Sequence, residues 1–467
     1  MIRDMSRMMT KRAIFAVLLL FVSTVAVSAE LDNKIKAIIK EAKLGNARFS
    51  VYAESARKKT TLTDIDKDEL LNPASCLKLI TSAAALKVLG PDYRFITKFY
   101  LDKKDGGDSL WVKGFGDPSF VIERLEAAVE NLIKAGMPAA IGDIFIDDTY
   151  FSEGDFPGRQ KGSTRSYNAM TNAVTLNHSS VTVEVLPSPK VGSPPIVKLD
   201  AAGFVIENKA TTVSKKFRTR IQIKRVFGKN GDTIKVSGRI SAPSSGVKKF
   251  FNVQDPARHF GEALKAMLTG RGIAVAGEIK FGIVPSSARP FFDEKSPPLS
   301  EVIQNMNKLS NNFMAEQITK VLGATRFGSP GSTVKGMEVL GDYMKKLGEN
   351  NFYIENGSGL SYKNKISAYG LFLVMRDMFG DSRLKNIYID SLSITGEDGT
   401  LKKWDSKVLN GNLKAKTGSL DGISSLAGFL STGDDTIIFA IMLNGGRVNF
   451  WKGRQVSQKI AEALVRQ

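Results

Sequence analysis

Cysteine and histidine are scarce in this 467-residue chain, which contains one cysteine, Cys76, and two histidines, His178 and His259. A single cysteine excludes an intrachain disulfide. A structural zinc site takes four Cys or His ligands, so these residues predict no metal, and no motif indicates another cofactor. A Ser-His-Asp triad would depend on one of the two histidines, and a surface or core role is the better interpretation of both.

Acidic residues are outnumbered, with 47 Asp+Glu against 66 Lys+Arg and a formal net charge of +19. Outside the cytoplasm this charge would favour anionic envelope polymers or lipid head groups, although a merely soluble basic surface is the simpler interpretation. The sequence has no cluster of basic residues interleaved with aromatics, so we expect no nucleic-acid partner.

Long apolar runs are absent after the N-terminal region, which itself reads as a signal peptide over residues 1–29. Basic residues precede an apolar run over 13–27, and the small residues Ser28 and Ala29 supply a cleavage site before Glu30. An uncleaved anchor is the alternative, but this run of 15 residues is shorter than the roughly 20 that span a bilayer. We therefore expect a periplasmic protein with no stable membrane insertion after cleavage, and the oligomeric state stays open.

The predicted secondary structure of the mature chain changes twice along its length. Its first part includes an apolar helical pattern over 77–89, which Gly90-Pro91 ends. From about Arg94 to Phe292, strand-like segments separated by Gly, Pro, Asn and Asp predominate. Helical patterns then return, followed by a strand hairpin and a final helix. The sequence therefore predicts an α/β (α+β) domain built from both chain ends, with a β-rich insertion between them.

Ser-x-x-Lys is the first candidate catalytic pattern, and it occurs five times, beginning at Ser55, Ser75, Ser245, Ser332 and Ser382. Only Ser75 and Lys78 begin a strongly apolar helix, where residues three apart lie on the same face. A serine hydroxyl needs a base to take its proton, and a partly neutral lysine can act as that base. An N-cap serine followed by an unrelated lysine is the alternative for this motif alone.

Two further patterns follow in the chain. Ser310-Asn311-Asn312 opens a helix and combines a hydroxyl with a carboxamide, although Ser166-Tyr167-Asn168 has the same form and capping explains either one. Lys416-Thr417-Gly418-Ser419 occurs once, on a predicted strand. Its lysine and hydroxyls suit a bound carboxylate, and Gly418 lets a substrate backbone approach closely.

The order of these motifs carries the functional argument. Ser75, Ser310 and Lys416 follow one another with long gaps, each in a suitable setting. Such a trio, with Ser-Asp-Asn as its usual second element, is the signature of penicillin-binding proteins and class A β-lactamases. We also expect Lys416 to lie near Lys78 and to help keep it partly neutral.

The sequence resembles the class C low-molecular-mass penicillin-binding proteins, which are D-alanyl-D-alanine carboxypeptidase/endopeptidases of peptidase family S13. The resemblance rests on six segments: NPASCLKLIT (72–81), KGFGDPSF (113–120), LSNNFMAEQITKVLG (309–323), NGSGLSYKNKIS (356–367), GEDGTLKKW (396–404) and LKAKTGSLDGISSLAGF (413–429). It implies a penicillin-binding/β-lactamase-like transpeptidase domain, in which helices flank a central antiparallel sheet, with two smaller β-rich domains inserted.

The domain boundaries that the resemblance implies follow the changes in predicted secondary structure. The catalytic domain comprises 30–92 and 291–467. Inserted domain II comprises 93–117 and 178–290, and domain III, 118–177, is nested within it.

The resemblance also implies residue roles. Ser75 is the acylated nucleophile, Lys78 its general base, and Ser310 the proton relay to the leaving amine. The remaining polar residues bind substrate or complete the network: Asn312 as a ligand of the substrate amide, Lys416 in the polar network, and Thr417 and Ser419 on the terminal carboxylate. The backbone N–H groups of Ser75 and Ser419 form the oxyanion hole.

Two positions depart from the family pattern. Residues 356–362 read Asn-Gly-Ser-Gly-Leu-Ser-Tyr where the family usually has Asp-Gly-Ser-Gly-Leu-Ser-Arg. Tyr362 thus stands where an arginine commonly binds the polar end of the stem peptide, and it lacks the bidentate grip of a guanidinium. We keep Tyr362 as a substrate-binding candidate.

The expected reaction is serine-type D-Ala-D-Ala carboxypeptidase and/or DD-endopeptidase chemistry on peptidoglycan stem peptides, with β-lactams as inhibitors acylating Ser75. A β-lactamase or esterase on the same scaffold is one alternative, although no segment resembles the Glu-bearing loop of class A β-lactamases. A non-catalytic cell-wall-binding homologue is the other alternative, and the presence of all motif residues argues against it.

Overall fold

The computed structural model describes residues 29–465 except 105–106, 153, 202–203 and 229–231. The predicted signal peptide, apart from Ala29, lies outside the described residues. The chain divides into two compact units. The first unit comprises the chain up to Pro91, Ile303–Asn311 and Val339 onwards, and the second unit comprises Asp92–Val302 and Asn312–Glu338.

Ten helices are present in the described part of the chain: α1 (29–41), α2 (Lys78–Leu89), α3 (Ile122–Lys134), α4 (Pro256–Gly270), α5 (Leu299–Lys308), α6 (Asn312–Phe327), α7 (Thr333–Lys346), α8 (Ala368–Gly380), α9 (Lys385–Asp390) and α10 (Phe450–Val465). The strands are β1 (Arg48–Ser55), β2 (Thr60–Ile65), β3 (Ile96–Lys104), β4 (Gly107–Gly114), β5 (Ala140–Ile141), β6 (Ile144–Asp147), β7 (Ser180–Leu186), β8 (Ile196–Leu199), β9 (Phe204–Val213), β10 (Arg220–Val226), β11 (Asp232–Ser241), β12 (Val247–Asn252), β13 (Ala274–Val275), β14 (Ile279–Phe281), β15 (Arg289–Lys295), β16 (Ser393–Ile394), β17 (Leu413–Leu420), β18 (Ile423–Thr432) and β19 (Asp435–Asn444).

The first unit is built on a six-stranded antiparallel sheet with the order β16-β17-β18-β19-β1-β2. Strands β18 and β19 are buried along almost their whole length, which is typical of strands covered on both faces. Helix α10 packs on β18, and α8 packs on β19 and α2. The prediction of an α/β fold with a central antiparallel sheet flanked by helices is confirmed.

Apolar side chains at helical spacing fix this arrangement. Leu31, Ile35 and Ile39 of α1 join Val456 and Ile460 of α10 in one buried cluster with the sheet. Each such side chain contributes about 1.5–3 kcal/mol when it is fully buried. The cluster therefore anchors the two chain ends to the sheet that carries the Lys416 motif.

The second unit contains a five-stranded sheet, β14-β6-β4-β3-β15, and two three-stranded sheets, β10-β11-β9 and β12-β7-β8. Its described residues include two separate apolar clusters, one formed by residues of 99–176 and 257–273 and the other by residues of 181–253. The division into a catalytic domain, an inserted domain II and a domain III nested within it stays a prediction. None of the helices formed by the described residues is long and apolar enough to cross a membrane.

Candidate active site

Ser75 lies in a 3₁₀ turn, Ala74–Leu77, that leads directly into α2. Asn72 fixes the entry to this turn, because its side chain accepts a hydrogen bond from Ala74 N at 2.8 Å and donates one to Ser361 O at 2.9 Å. The side chain of Asn444 in turn pairs with the backbone of Asn72. Ala74 has a φ of 44°, a conformation that non-glycine residues seldom adopt and that these contacts hold in place.

Lys78 is the first residue of α2 and is fully buried. Its Nζ lies 3.0 Å from Ser75 Oγ and donates a hydrogen bond to Ser358 O at 2.6 Å. The helical spacing predicted from the sequence therefore places the amine in contact with the hydroxyl. A neutral amine at this position can accept the hydroxyl proton.

Lys416 is also fully buried, on β17. Its Nζ donates to Ser310 Oγ at 2.8 Å and to Thr417 O at 2.8 Å. Burial lowers the pKa of Lys416 to about 8, because the charged form loses its hydration. The amine is thus mostly protonated at neutral pH, yet close enough to its pKa to exchange a proton with Ser310.

Ser310 lies between α5 and α6 with a φ of 55°. Its backbone N donates to Asn307 O at 3.3 Å. The side chain of Asn307 bridges two buried hydroxyls, accepting from Ser82 at 3.1 Å and donating to Ser391 at 2.9 Å. These contacts hold the hydroxyl of Ser310 towards β17.

The strand β17 has a partly free edge. It pairs with β18 throughout, but on its other side it pairs with β16 only at Lys414 and Ala415. Residues 416–420 therefore have no strand partner on that edge within the described part of the chain. A free edge of this kind can pair with an extended peptide.

Gly418 brings this edge against the nucleophile. A Cβ at position 418 would lie 2.2 Å from Ser425 Oγ, 2.5 Å from Pro73 O and 3.0 Å from Ser75 N. Only glycine fits there. The sequence predicts that a substrate backbone approaches Gly418 closely, but the protein's own backbone at Pro73 and Ser75 already requires a glycine at this position.

A cleft of about 560 Å³ opens over these residues in the first unit. Its lining contains five of the predicted site residues, Ser75, Ser310, Thr417, Gly418 and Ser419. Thr400 also lines it, with its Oγ1 2.8 Å from Thr417 Oγ1. Lys78 and Lys416 contact the hydroxyls of Ser75 and Ser310, so the three motifs converge on one cleft.

Besides the two lysines, two predicted residues are not among those that line the cleft. Tyr362 is 52% exposed, and its hydroxyl accepts a hydrogen bond from Asp421 N at 3.2 Å, beside the β17–β18 turn. Asn312 begins α6 in the second unit, where its side chain donates to Tyr167 O at 3.2 Å. The substrate-binding roles of Tyr362 and Asn312 stay predictions.

The two histidines belong to the second unit. Burial lowers the pKa of both His178 and His259. Among the described residues, no histidine lines the cleft. The side-chain nitrogen in contact with the Ser75 hydroxyl is Nζ of Lys78.

Sequence reasoning missed the contacts that tie the nucleophile turn to β17. The buried thiol of Cys76 donates to Lys416 O at 3.1 Å, and Ser425 Oγ donates to Pro73 O at 2.5 Å. Burial raises the pKa of the Cys76 thiol, so this cysteine stays protonated and acts as a structural donor. Ser425 pairs with Gly418 across the β17–β18 hairpin. The register of this hairpin was the signal that could have identified the contact of Ser425.

The motifs and the fold define a class. An antiparallel sheet between helices, a helix-start serine in contact with a buried lysine, and a Lys-Thr-Gly strand beside them are the arrangement of penicillin-binding serine enzymes. The family model described as the D-Ala-D-Ala carboxypeptidase 3 (S13) family matches residues 31–467, so the chain belongs to that family.

Curated relatives agree with this membership. The chain is 30% identical over 441 residues to the D-alanyl-D-alanine carboxypeptidase of Actinomadura sp. (strain R39), covering 89% of this chain and 81% of the relative. It is 24% identical to penicillin-sensitive carboxypeptidase A of Dictyostelium discoideum, covering 84% of this chain and 82% of the relative.

A solved structure shows the same fold. Penicillin-binding protein 4 (dacB) of Haemophilus influenzae aligns with a TM-score of 0.77 at 21% identity, covering 92% of this chain and 99% of the other. The predatory peptidoglycan endopeptidase Bd3459 of Bdellovibrio bacteriovorus aligns with a TM-score of 0.54 at 17% identity, covering 90% and 92%.

Family membership confirms the resemblance found in the sequence. The chain is a serine-type D-Ala-D-Ala carboxypeptidase that acts on peptidoglycan, as the sequence predicted, whereas the DD-endopeptidase activity stays a prediction.

Proposed function

We propose that Ser75 is the acylated nucleophile of this reaction, with Lys78 as its general base. The observation that carries the proposal is the distance of 3.0 Å between Lys78 Nζ and Ser75 Oγ, in the cleft that also contains the Lys416–Ser310 pair. Lys78 takes the hydroxyl proton as Ser75 Oγ attacks the carbonyl carbon of the penultimate D-alanine.

The developing negative charge on the carbonyl oxygen needs fixed donors. The backbone N–H groups of Ser75 and Ser419 are the proposed oxyanion hole. Both residues line the cleft, and Gly418, which precedes Ser419, approaches so closely that a Cβ there would lie 3.0 Å from Ser75 N. Donors of this kind are preorganised, so they stabilise charge without reorganising at the moment of reaction.

The leaving amine needs a proton when the C–N bond breaks. Ser310 is the proposed donor, and it recovers its proton from Lys416, with which it shares a hydrogen bond of 2.8 Å. The pKa of Lys416, about 8, suits a group that must give and regain a proton near neutral pH. Water then hydrolyses the ester on Ser75 and completes the cycle.

Substrate binding is assigned to the remaining polar residues. Thr417 and Ser419 hold the terminal carboxylate from the free edge of β17. Asn312 is the proposed ligand of the substrate amide, and Tyr362 the proposed contact of the stem peptide. Both of these last assignments rest on the family pattern.

β-Lactams are the proposed inhibitors, acylating the same serine. The support comes from relatives: the Dictyostelium enzyme is named penicillin-sensitive, and Bd3459 was solved acylated by penicillin G. The proposed location is the periplasm. This proposal rests on the signal pattern of residues 1–29 and on the usual location of the family.

D-Alanine release tests the assignment. The mature chain, S75A and S382A are incubated with a peptide ending in D-Ala-D-Ala. Ser382 is exposed and begins another Ser-x-x-Lys pattern, so S382A is the matched control. We expect wild-type rates in S382A and none above background in S75A; full activity in S75A would overturn the proposal.

A further inference from the structure

The positive charge of the chain is concentrated in a segment of the second unit that the proposed reaction does not use. Residues 204–252 contain twelve Lys or Arg and two Asp or Glu, which is a net charge of +10 out of the chain's +19. Six of these cations and two phenylalanines fall within 215–227. The expectation drawn from the sequence, that basic residues and aromatics are not interleaved, is therefore wrong for this segment.

The segment forms a sheet, β10-β11-β9, that is packed on one face only. Ile223, Ile234 and Val236 point into the apolar cluster formed by residues of 181–253. The residues that alternate with them lie on the opposite face, as the pleat of a strand requires. This opposite face, here called the basic face, carries five cations, of which four are exposed and Arg239 is half-buried: Lys209, Arg220, Lys224, Lys235 and Arg239.

The register of the sheet places like charges directly opposite one another. Arg220 pairs with Arg239, and Lys224 pairs with Lys235, across β10 and β11. Like charges in such positions destabilise an antiparallel pair. In the described part of the chain, Lys235 is the one cation of the basic face with a carboxylate partner, Glu207 at 3.3 Å. This arrangement does not serve the stability of the sheet, and an anionic ligand would relieve the repulsion.

Exposed apolar side chains flank the cations at both ends of the basic face. At one end, Val226 of β10 and Val205 of β9 share a row of the sheet and are 43% and 58% exposed, and Phe227 follows at 39%. At the other end, Phe217 is 49% exposed, and the guanidinium of Arg239 lies 5.2 Å from its ring centroid. A hydrated anionic polymer would neutralise the cations without covering these apolar groups, whereas the surface of a lipid bilayer accepts both.

We infer that the basic face is a docking surface for a bilayer of anionic phospholipids. Lipid phosphates contact the five cations, while the two exposed phenylalanines and the valines enter the head-group boundary. Strands rise about 3.3 Å per residue and lie about 4.8 Å apart, so four rows on three strands cover about 20 by 10 Å, a patch that can lie flat on a bilayer. The inference concerns where the enzyme is held, and it is independent of the role of Ser75.

Vesicle flotation with the full mature protein tests the inference. One set of vesicles contains phosphatidylcholine alone, and the other contains phosphatidylcholine and phosphatidylglycerol in equal amounts. The variant R220Q/K224Q removes one member of each like-charge pair. The matched control is K103Q/K134Q, which neutralises two exposed lysines of the same unit, on β3 and α3.

We expect the wild type to bind the phosphatidylglycerol vesicles at least about tenfold more tightly than the neutral ones, with a difference that shrinks as salt is added. R220Q/K224Q should weaken this binding about tenfold, and the control variant by less than about twofold. The thermal unfolding midpoint of R220Q/K224Q should not fall below that of the wild type, because two repulsive pairs are removed.

The exposed rings are tested separately. F217A/F227A should weaken binding to the phosphatidylglycerol vesicles about five- to tenfold and leave its salt dependence unchanged, because the rings contribute apolar contact and no charge. An unchanged affinity would show that the face binds charge alone and would overturn the assignment to a bilayer.

Three further outcomes would overturn the inference. These are equal binding to both kinds of vesicle, equal losses in R220Q/K224Q and K103Q/K134Q, and an affinity for duplex DNA or isolated cell-wall sacculi that matches the affinity for the vesicles. The last result would identify a general polyanion surface. Binding is measured without substrate, so a failure of the Ser75 assignment would not alter these results.

Discussion

At the scale of single residues, Lys416 shows most clearly what the site costs the fold. A lysine with a pKa of about 8 against an ordinary 10.5 is destabilised in its charged form by about 3 kcal/mol at neutral pH, since one pKa unit corresponds to about 1.4 kcal/mol. Its hydrogen bonds to Ser310 and Thr417 offset part of this cost. Function thus keeps a charge where an apolar side chain would be more stable.

Replacing Lys416 by methionine should raise the free energy of unfolding by about 1–2 kcal/mol at pH 7, because removal of the buried charge outweighs the loss of two hydrogen bonds. The same substitution should abolish acylation. The native pKa lies below the unfolded one, so the gain is full below pH 8, shrinks as the pH rises and is gone above about 10.5. Urea unfolding at several pH values measures it.

The neighbouring Lys414→Met is the control for that measurement. Lys414 makes a partly exposed ion pair with Asp390 at 2.7 Å, so its loss should lower stability by less than about 1 kcal/mol. A K416M variant that is no more stable than the wild type at pH 7 would contradict the account of Lys416.

At the scale of elements, the nucleophile turn is held by backbone contacts from two sides. Gly359 approaches it so closely that a Cβ there would lie 1.9 Å from Ala74 O, and its φ is 83°. Gly418 closes the other side from β17. The turn before α2 therefore keeps its conformation because neighbouring segments leave no alternative.

The Gly359→Ala substitution should lower the free energy of unfolding by about 2–4 kcal/mol and slow acylation, because both the φ angle and the clash oppose a methyl group. Gly433→Ala is the matched control, since Gly433 has a φ of 64° but open space around its Cβ position. It should lose only about 1 kcal/mol. Urea unfolding and acylation rates distinguish the two, and equal losses would show that crowding at Ala74 is unimportant.

The elements also show how far the sequence leads. The serine-lysine spacing at the start of α2, the single Lys-Thr-Gly-Ser segment and their order along the chain selected Ser75, Lys78 and Lys416, and the family resemblance supplied their roles. The helical period fixes the first contact, which is local. Contacts such as Ser358 O with Lys78 could not be predicted, because a backbone carbonyl leaves no residue-type signal in the sequence.

The exposed rings of Phe450 and Trp451 escaped prediction for a related reason. The sequence predicts a final helix only from Gln455 to Val465, whereas α10 begins at Phe450 and both rings line the catalytic cleft. Tertiary packing decides such an orientation, and periodicity alone does not.

At the scale of the whole molecule, the chain combines a catalytic unit with a larger β-rich one, and its two ends meet on the central sheet. Helix α1 begins at residue 29, one residue before the predicted cleavage site, and its apolar side chains are buried. Cleavage before Glu30 would therefore remove only the first residue of this helix.

The intact mass of the exported protein should correspond to a chain beginning at Glu30, because the small residues before it fit a signal peptidase. An Ala29→Arg variant should accumulate as the uncleaved precursor. A mature mass that begins elsewhere, or normal processing of the variant, would refute the predicted signal boundary.

The most direct test of the central claim is to locate the acyl-enzyme. The purified mature protein is treated with a fluorescent penicillin beside S75A, and the adduct is mapped by peptide mass spectrometry. We predict one stable adduct on Ser75, absent from S75A. An adduct on another serine, or none at all, would contradict the assignment of Ser75 as the nucleophile.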